Sequence, residues 1–357
     1  LALSKLNHPE RKLKNVINII GSDGKYSLLN SLKFFIEANN QKTSAFISPS
    51  LKNIRDRFWM GDIYLSYNEI KNSIKIIEKL KINLTVFEVL TLIFIINSAN
   101  EDNDYNLVEA GALFAKDSTN VFPFPLIQAV VNINKQHLNF LKKKTLNEII
   151  NQKVGYLNQF TNIYVGKQNI RTQKKIKKIL VKNNNKKIYS NSWKLIKIKK
   201  NYFYKDKNFK IKILNKNIHS KGLLDNLAMA IKIALDLGIN ESIIKKTIPR
   251  IKHEGRIDYL KKGKIHKKIY NNEKILIDGC HSENSAKNLA AHLKNIKIPK
   301  YGIWGMIKNK DPNNFIKQFK GVFKKIITID IDREKKSLSK NKLLNIANKN
   351  NFSVETA

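Results

Sequence analysis

"NVINIIGSDGKYSLLNSLKFFIEAN", residues 15–39, holds the reading that decides the fold. Val16, Ile17, Ile19 and Ile20 form a β-branched run of the kind buried on both faces of a parallel sheet. From Ser27 to Ala38 the apolar positions Leu28, Leu29, Leu32, Phe35 and Ile36 recur at helical spacing. Gly21 and Gly24 therefore stand at a strand-to-helix junction, followed by Lys25 and the hydroxyl of Ser27. A phosphate cradle needs inward-turned backbone N–H groups, a helix N-terminus aimed at the anion, one lysine and one hydroxyl for a metal. The strict Walker spacing is not met: Tyr26 separates Lys25 from Ser27, and Gly21 lies only three residues before Gly24. On these residues alone, a nucleotide site and a plain turn between strand and helix are equally good readings.

The 357 residues exceed one ordinary core and suit two domains. A single cysteine, Cys280, excludes a disulfide framework and fits a reducing compartment. The longest apolar stretch, "LTVFEVLTLIFII" at 84–96, is interrupted by Glu88 and is short for a bilayer span. With no signal peptide in view, the sequence reads as a cytoplasmic protein without membrane association. It opens on Leu1 rather than Met, as a fragment does. A net charge of +39 invites a nucleic-acid partner, yet only seven of the 67 basic residues are arginine, the residue that base readers lean on. The lysines come with asparagines and isoleucines along the whole chain, as a coding bias would place them. No specific nucleic-acid partner is expected, although the positive field draws in anionic small substrates.

Outward from the glycine loop, strand-like and helix-like runs alternate. The pattern predicts strands at 15–20, 44–47, 106–110 and 126–132 and helices at 27–38, 67–80, 86–97 and 145–151, a parallel α/β order. Between 159 and 220, alternation of apolar and Lys/Asn residues predicts antiparallel strands with one face in water. Helix returns at 223–238, where Gly238 suits a C-cap. The charged segment "RIKHEGRIDYLKKGKIHKK" reads as a hinge, after which "KILIDG" predicts a strand, "SAKNLAAHLKN" a helix and "KYGIWGM" another strand. The expected division is 1–250, a hinge at 251–262, and a smaller α/β domain at 263–357.

Several segments, in order, resemble the folylpolyglutamate synthase/dihydrofolate synthase family of the Mur ligase superfamily, over nearly all of the chain. "NIIGSDGKYS" is similar to that family's Gly-Thr-Asn-Gly-Lys-Gly-Ser loop, and "FISPSL" (46–51) to its Thr-Ser-Pro-His-Leu. "LTVFEV" (84–89) resembles Leu-Thr-x-Phe-Glu, and "LVEAGALFAKDSTNVF" (107–122) resembles Leu-Glu-Val-Gly-Leu-Gly-Gly-Arg-Leu-Asp-Ala-Thr-Asn-Val. "VNINKQHLNFLKKKTLNEIINQKVGYL" (131–157) is similar to an Asp-His…Lys-Ala-Gly-Ile stretch. "HEGRIDYL" (253–260), "LIDGCHSENSA" (276–286) and "GMIKNKD" (305–311) resemble Pro-Gly-Arg-Leu-Glu, Leu-Asp-Gly-Ala-His-Asn-Pro and Gly-x-x-x-Asp-Lys-Asp.

The resemblance implies a P-loop ATPase domain with a mainly parallel sheet plus antiparallel strands, then a smaller Rossmann-like glutamate-ligase domain shortened at its end. It implies a monomeric ligase that uses ATP and Mg²⁺ to add L-glutamate to dihydropteroate or a folate through an acyl phosphate. A related Mur-type ligase on another carboxylate, or a weakened nucleotide-binding homologue, is the alternative. By the same resemblance Gly21, Ser22, Asp23, Gly24, Lys25, Tyr26 and Ser27 cradle ATP, and Asn226, Arg256, Asp278 and His281 grip the nucleotide from the second half. Ser27, Glu109 and His137 are the implied metal ligands. Lys25, His137 and Lys153 are the implied catalytic groups, Lys153 as a carbamate.

The chain also departs from the pattern. Position 22 is Ser for Thr, 23 Asp for Asn, 26 Tyr for Gly and 50 Ser for His. Gln136 stands where the family has the Asp before its histidine, and "GALFAKDSTN" lacks two glycines and an arginine. Asp23 places a negative charge beside the expected phosphates, and Gln136 removes an expected orienting carboxylate.

Overall fold

The computed structural model describes residues 1–136, 138–181, 186–308 and 310–357. Eight strands form the main sheet: β1 Val16–Ile20, β2 Thr43–Phe46, β3 Phe58–Met60, β4 Ile63–Tyr64, β5 Tyr105–Glu109, β6 Ile127–Val130, β7 Asn162–Val165 and β8 Lys187–Tyr189. Their order is β4-β3-β2-β5-β1-β6-β7-β8, parallel throughout except for the β3 and β4 edge. All five residues of β1 are buried, as a central parallel strand requires. Chain order reverses direction about β1, with β5 on one side and β6 on the other. Such switch points leave a crevice at the carboxyl ends of the strands.

The helix Lys25–Ala38 buries Leu28, Leu29, Leu32, Phe35 and Ile36, the face its spacing predicts. Full burial of each such side chain contributes about 1.5–3 kcal/mol. Phe46 stacks on Phe58 and Phe94 with centroids 5.9 and 5.6 Å apart, which fixes the helix Val86–Ser98 against this part of the sheet. That helix starts in a capping box between Thr85 and Glu88, so the Thr-x-x-Glu of the "LTVFEV" segment has a structural role.

One expectation is corrected between 159 and 220. β7 and β8 extend the main sheet in parallel, and the helix Ile170–Leu180, capped by Asn169, lies between them in the chain. Its buried residues Thr172, Ile176 and Leu180 are spaced by four, a helical period set among the lysines of a stretch whose neighbours on the C-terminal side alternate by two. Only the later part is antiparallel, as β9 Lys194–Ile198, β10 Asn201–Lys205 and β11 Lys210–Ile213. The helix Lys221–Asp236 follows and closes with Gly238 at φ +83° and Ile239 N–H donating to Ala234 O at 3.0 Å, a Schellman ending.

The chain divides into two units, one of residues Leu1–Asn217 and Leu223–Lys252, the other of Ile218–Gly222 and His253–Ala357. In the second, β14 Tyr301–Trp304, β15 Lys325–Thr328 and β16 Val354–Thr356 form a parallel sheet over a core that includes Trp304, Phe315, Ile326 and Leu343. The "KILIDG" strand does not join it. β13 Leu276–Ile277 pairs antiparallel with β12 Asp258–Tyr259 instead, because residues 278–281 turn away to enter the helix Glu283–Lys294. No described helix is long and apolar enough to cross a membrane.

Candidate active site

The glycine loop leaves β1 at its carboxyl end, and two positions require glycine. At Gly21, φ is +149° and an added Cβ would stand 2.4 Å from Val131 Cγ2. At Gly24, φ is +95° and a Cβ would meet Asn226 Nδ2 at 2.1 Å. Gly24 is the N-cap of the helix, and the first helical bond runs from Leu28 N to Gly24 O at 3.1 Å. The backbone amides of Lys25, Tyr26 and Ser27 therefore lie outside the helical ladder, at the positive end of the dipole. The amides of Ser22 and Asp23 face the other way, donating to Asn132 O at 2.8 and 3.3 Å. The first helical turn, rather than the loop crest, is the part shaped for an anion.

Lys25 Nζ lies 3.7 Å from Glu109 Oε1 and 3.5 Å from Gly21 O. Glu109 ends β5, is buried, and accepts at Oε2 from Ser48 N–H at 3.1 Å. Arg57 donates to Ser48 Oγ at 3.1 Å; burial pulls its pKa down, and the charge of Glu109 opposes the fall. Lys153, on the helix Leu146–Val154, is 2% exposed. Its ammonium donates to Gly21 O at 2.8 Å and Ala112 O at 2.6 Å. Burial first and Lys25 second lower its pKa from 10.5 to about 7, with Asp117 and Asp23 opposing. The ends of β1 and β5 and the helix Leu146–Val154 thus bring together two lysines, a buried glutamate and a helix N-terminus.

Ser27 Oγ is buried, donates to Gly24 O at 2.9 Å and accepts from Asn226 Nδ2 at 2.8 Å. Asn226 also reaches Gly24 O at 3.4 Å, so its side chain braces the glycine loop. The Tyr26 ring packs edge-on against Trp59 with centroids 6.3 Å apart, so its bulk lies against the indole while its backbone amide stays in the first turn. Asp23 is held by two side-chain amides: Gln136 Nε2 donates to Oδ1 at 2.9 Å and Asn134 Nδ2 donates to Oδ2. Ser22 Oγ is tied to the same loop, accepting from Asn134 N–H at 3.1 Å. His137 lies outside the described residues.

In the second unit, Asp278 Oδ2 accepts from Ile257 N–H at 2.7 Å and Oδ1 from Cys280 N–H at 2.8 Å. Burial raises its pKa while Arg256 opposes the rise. A Cβ on Gly279 would lie 2.7 Å from Arg256 Nη1, so the guanidinium passes directly over that glycine. His281 Nδ1 is 3.0 Å from Gly279 O, just ahead of the helix Glu283–Lys294. Arg256, Asp278 and His281 therefore form one cluster within their own unit.

Three further residues of the site, Asn134, Arg57 and Asp117, went unread in the sequence. Asn134 and Arg57 carry no local signal, because their partners lie elsewhere in the chain. Asp117 sits in the "DSTN" segment, where its Oδ1 accepts from Thr119 N–H at 3.1 Å and Thr119 Oγ1 at 2.6 Å. That local Asx-type pattern is legible in principle.

No family model matches the chain. A curated relative from Buchnera aphidicola subsp. Schizaphis graminum, a dihydrofolate synthase/folylpolyglutamate synthase, is 24% identical over 302 residues, 82% of this chain and 68% of that protein. The Mycobacterium tuberculosis folylpolyglutamate synthase solved with ADP and AMPPCP matches all of this chain and 84% of its own, with a TM-score of 0.86 at 16% identity. A bifunctional folylpolyglutamate synthase/dihydrofolate synthase with Mn, AMPPNP and L-glutamate bound matches all of this chain and 83% of its own, with a TM-score of 0.86 at 18% identity. The resemblance to the folylpolyglutamate synthase/dihydrofolate synthase family thus holds in sequence and in fold, and the mixed α/β architecture is that of these structures.

Proposed function

We propose that this chain is an ATP-dependent ligase that joins L-glutamate to dihydropteroate, to a folate, or to both, acting as a monomer in the cytoplasm. The observation that carries the reading is the placement of Lys25 against Glu109 at the mouth of a glycine-lined helix N-terminus. All the reactants are anions, so the site has to gather like charges and hold them in line. The triphosphate lies against the first-turn amides of Lys25, Tyr26 and Ser27, with Lys25 Nζ at its terminal phosphates. The acceptor carboxylate attacks the γ-phosphorus, the bond to the ADP oxygen breaks, and an acyl phosphate results. The glutamate amine then attacks the acyl carbon, phosphate departs with the C–O bond electrons, and the nitrogen gives up a proton.

The donor set fits Mg²⁺: a serine hydroxyl and a buried carboxylate are hard oxygen ligands. Ser27, Glu109 and His137 would hold the ion, which neutralises charge on the transferring phosphoryl group. Lys153 suits carbamate formation. A neutral amine has two N–H bonds, matched here by the carbonyls of Gly21 and Ala112, and one lone pair left to attack CO₂. That step makes an N–C bond and releases one proton, leaving an anion where a cation would stand.

Asn226 supports the nucleotide by bracing Gly24 and Ser27; Arg256, Asp278 and His281, clustered in the second unit, are nucleotide-binding residues by the resemblance alone. The test is ADP release that depends on glutamate, scored with dihydropteroate, reduced folates and a panel of other carboxylates. Release only with the pteroate compounds supports the reading. Release with a different acceptor alone overturns the folate assignment in favour of a related Mur-type ligase, and no release with any acceptor overturns the ligase.

A further inference from the structure

We propose that Asp23 is a positioning residue whose carboxylate, gripped by the side-chain amides of Asn134 and Gln136, locks the phosphate loop to the loop after β6, and that the acid and the amide at positions 23 and 136 are interchangeable as a pair. The contact is part of a dense seam. Ser22 and Asp23 N–H both donate to Asn132 O, Asn134 N–H donates to Ser22 Oγ, and Ser22 Oγ donates to Asn134 O at 3.2 Å. On this seam both oxygens of Asp23 accept from neutral amide donors. The carboxylate is therefore fixed in direction without being neutralised by them, and its field reaches the buried Lys153. Residues 134–136 directly precede His137 in the sequence.

The same contact accounts for two departures of the sequence at once. In the resembling motifs the amide is on the glycine loop and the acid precedes the histidine; here Asp23 and Gln136 carry the two groups the other way round. An amide donating to a carboxylate is a sound bond in either direction. Mixed combinations are not equivalent. Gln136→Asp alone sets two carboxylates against each other, and Asp23→Asn alone offers one accepting oxygen to two donors. In the double variant the introduced amide at position 23 accepts from Asn134 through its oxygen. Its nitrogen is offered to the introduced carboxylate at position 136, which is one methylene shorter than the glutamine, so the seam has to close slightly for that bond to form.

The inference rests on the phosphate-loop reading for its consequence but not for its test. Q136D, D23N and D23N/Q136D are compared with the parent chain for urea unfolding without nucleotide, and for AMPPNP affinity across a Mg²⁺ titration. Q136D is expected to weaken AMPPNP binding about tenfold or more and to raise the Mg²⁺ it needs. The double variant is expected to return both to within about threefold of the parent. If Q136D does not fold, folding of the double variant is itself the rescue. Effects that add, or a double variant worse than either single one, overturn the clasp. Coupling seen in unfolding while the parent binds no AMPPNP sustains the clasp and removes the ligase reading; nucleotide binding without coupling does the reverse.

Discussion

Replacing Lys153 with methionine isolates the cost of burying an amine in the site. In the folded chain its pKa falls from 10.5 to about 7, chiefly through burial and then through Lys25. At about 1.4 kcal/mol per pKa unit, that fall corresponds to about 5 kcal/mol of lost stability when the amine is charged, an upper bound because relaxation and water entry reduce it. The sign follows from proton counting. Between pH 7 and pH 10.5 the unfolded chain holds a proton on this lysine that the folded chain has released. Stability must therefore rise with pH across that window, with a slope of at most about 1.4 kcal/mol per pH unit from this group. Below pH 7 both states are protonated and the full cost applies.

Lys153→Met removes the titrating group and takes the Lys153 donor from the carbonyls of Gly21, which keeps Lys25, and Ala112, a loss of about 1–3 kcal/mol that does not depend on pH. By these figures K153M should be the more stable near pH 7, the two curves should cross between about pH 8 and 10, and the parent should lead above the crossing. Urea unfolding from about pH 6.5 to 9.5 in CO₂-free buffer reads the difference directly. Two curves that stay parallel over the whole range would refute the assignment of a neutral amine, and with it the route to a carbamate. The same experiment repeated with bicarbonate should raise the parent curve without reducing its slope, because the carbamate also holds one proton fewer than the unfolded lysine, and leave K153M unchanged.

Lys25→Ala should lower kcat/KM for ATP by about 10²–10³-fold, the proposed reading being that its ammonium meets the reacting phosphates; activity within about tenfold of the parent would remove Lys25 from the phosphates. Glu109→Gln and His137→Ala should each raise the Mg²⁺ needed for half-maximal activity by about 10–100-fold, measured by metal titration. Gly24→Ala combines a φ of +95° with a Cβ placed 2.1 Å from Asn226 Nδ2 and should destabilise the chain by about 2 kcal/mol or more in urea. Cys280, whose thiol pKa is raised well above its usual value by burial and by Asp278, should alkylate with iodoacetamide at about pH 8 at least tenfold more slowly than a free thiol.

What the sequence made legible was local. The β-branched run before Gly21 and the helical spacing after it define the junction, because a buried parallel strand and an amphipathic helix each impose a period on neighbouring residues. The same logic failed at 170–180, where lysines crowd the positions around the buried Thr172, Ile176 and Leu180 and blur one period into another. At "KILIDG" the expected strand is present as β13, but its apolar run says nothing about which partner it pairs with. Tyr26 is a related case. It is bulky for a phosphate loop, and at the second residue of the helix its ring packs on Trp59 while its amide stays in the first turn.

The long-range contacts carry the deeper lesson about Asp23. Judged by position, a carboxylate in a phosphate loop weakens anion binding, and a glutamine before the implied metal-binding histidine loses an orienting group. Judged together in space, each supplies what the other lacks, because residues 113 apart in the chain share one hydrogen bond. A single sequence cannot reveal such a pair, since neither residue changes any local period or turn. The physical constraint acts on the sum: one acid and its amide donors must sit on this seam, and which loop bears the acid is free. A substitution at position 23 or 136 should therefore be judged by its partner across the seam rather than by a loop consensus.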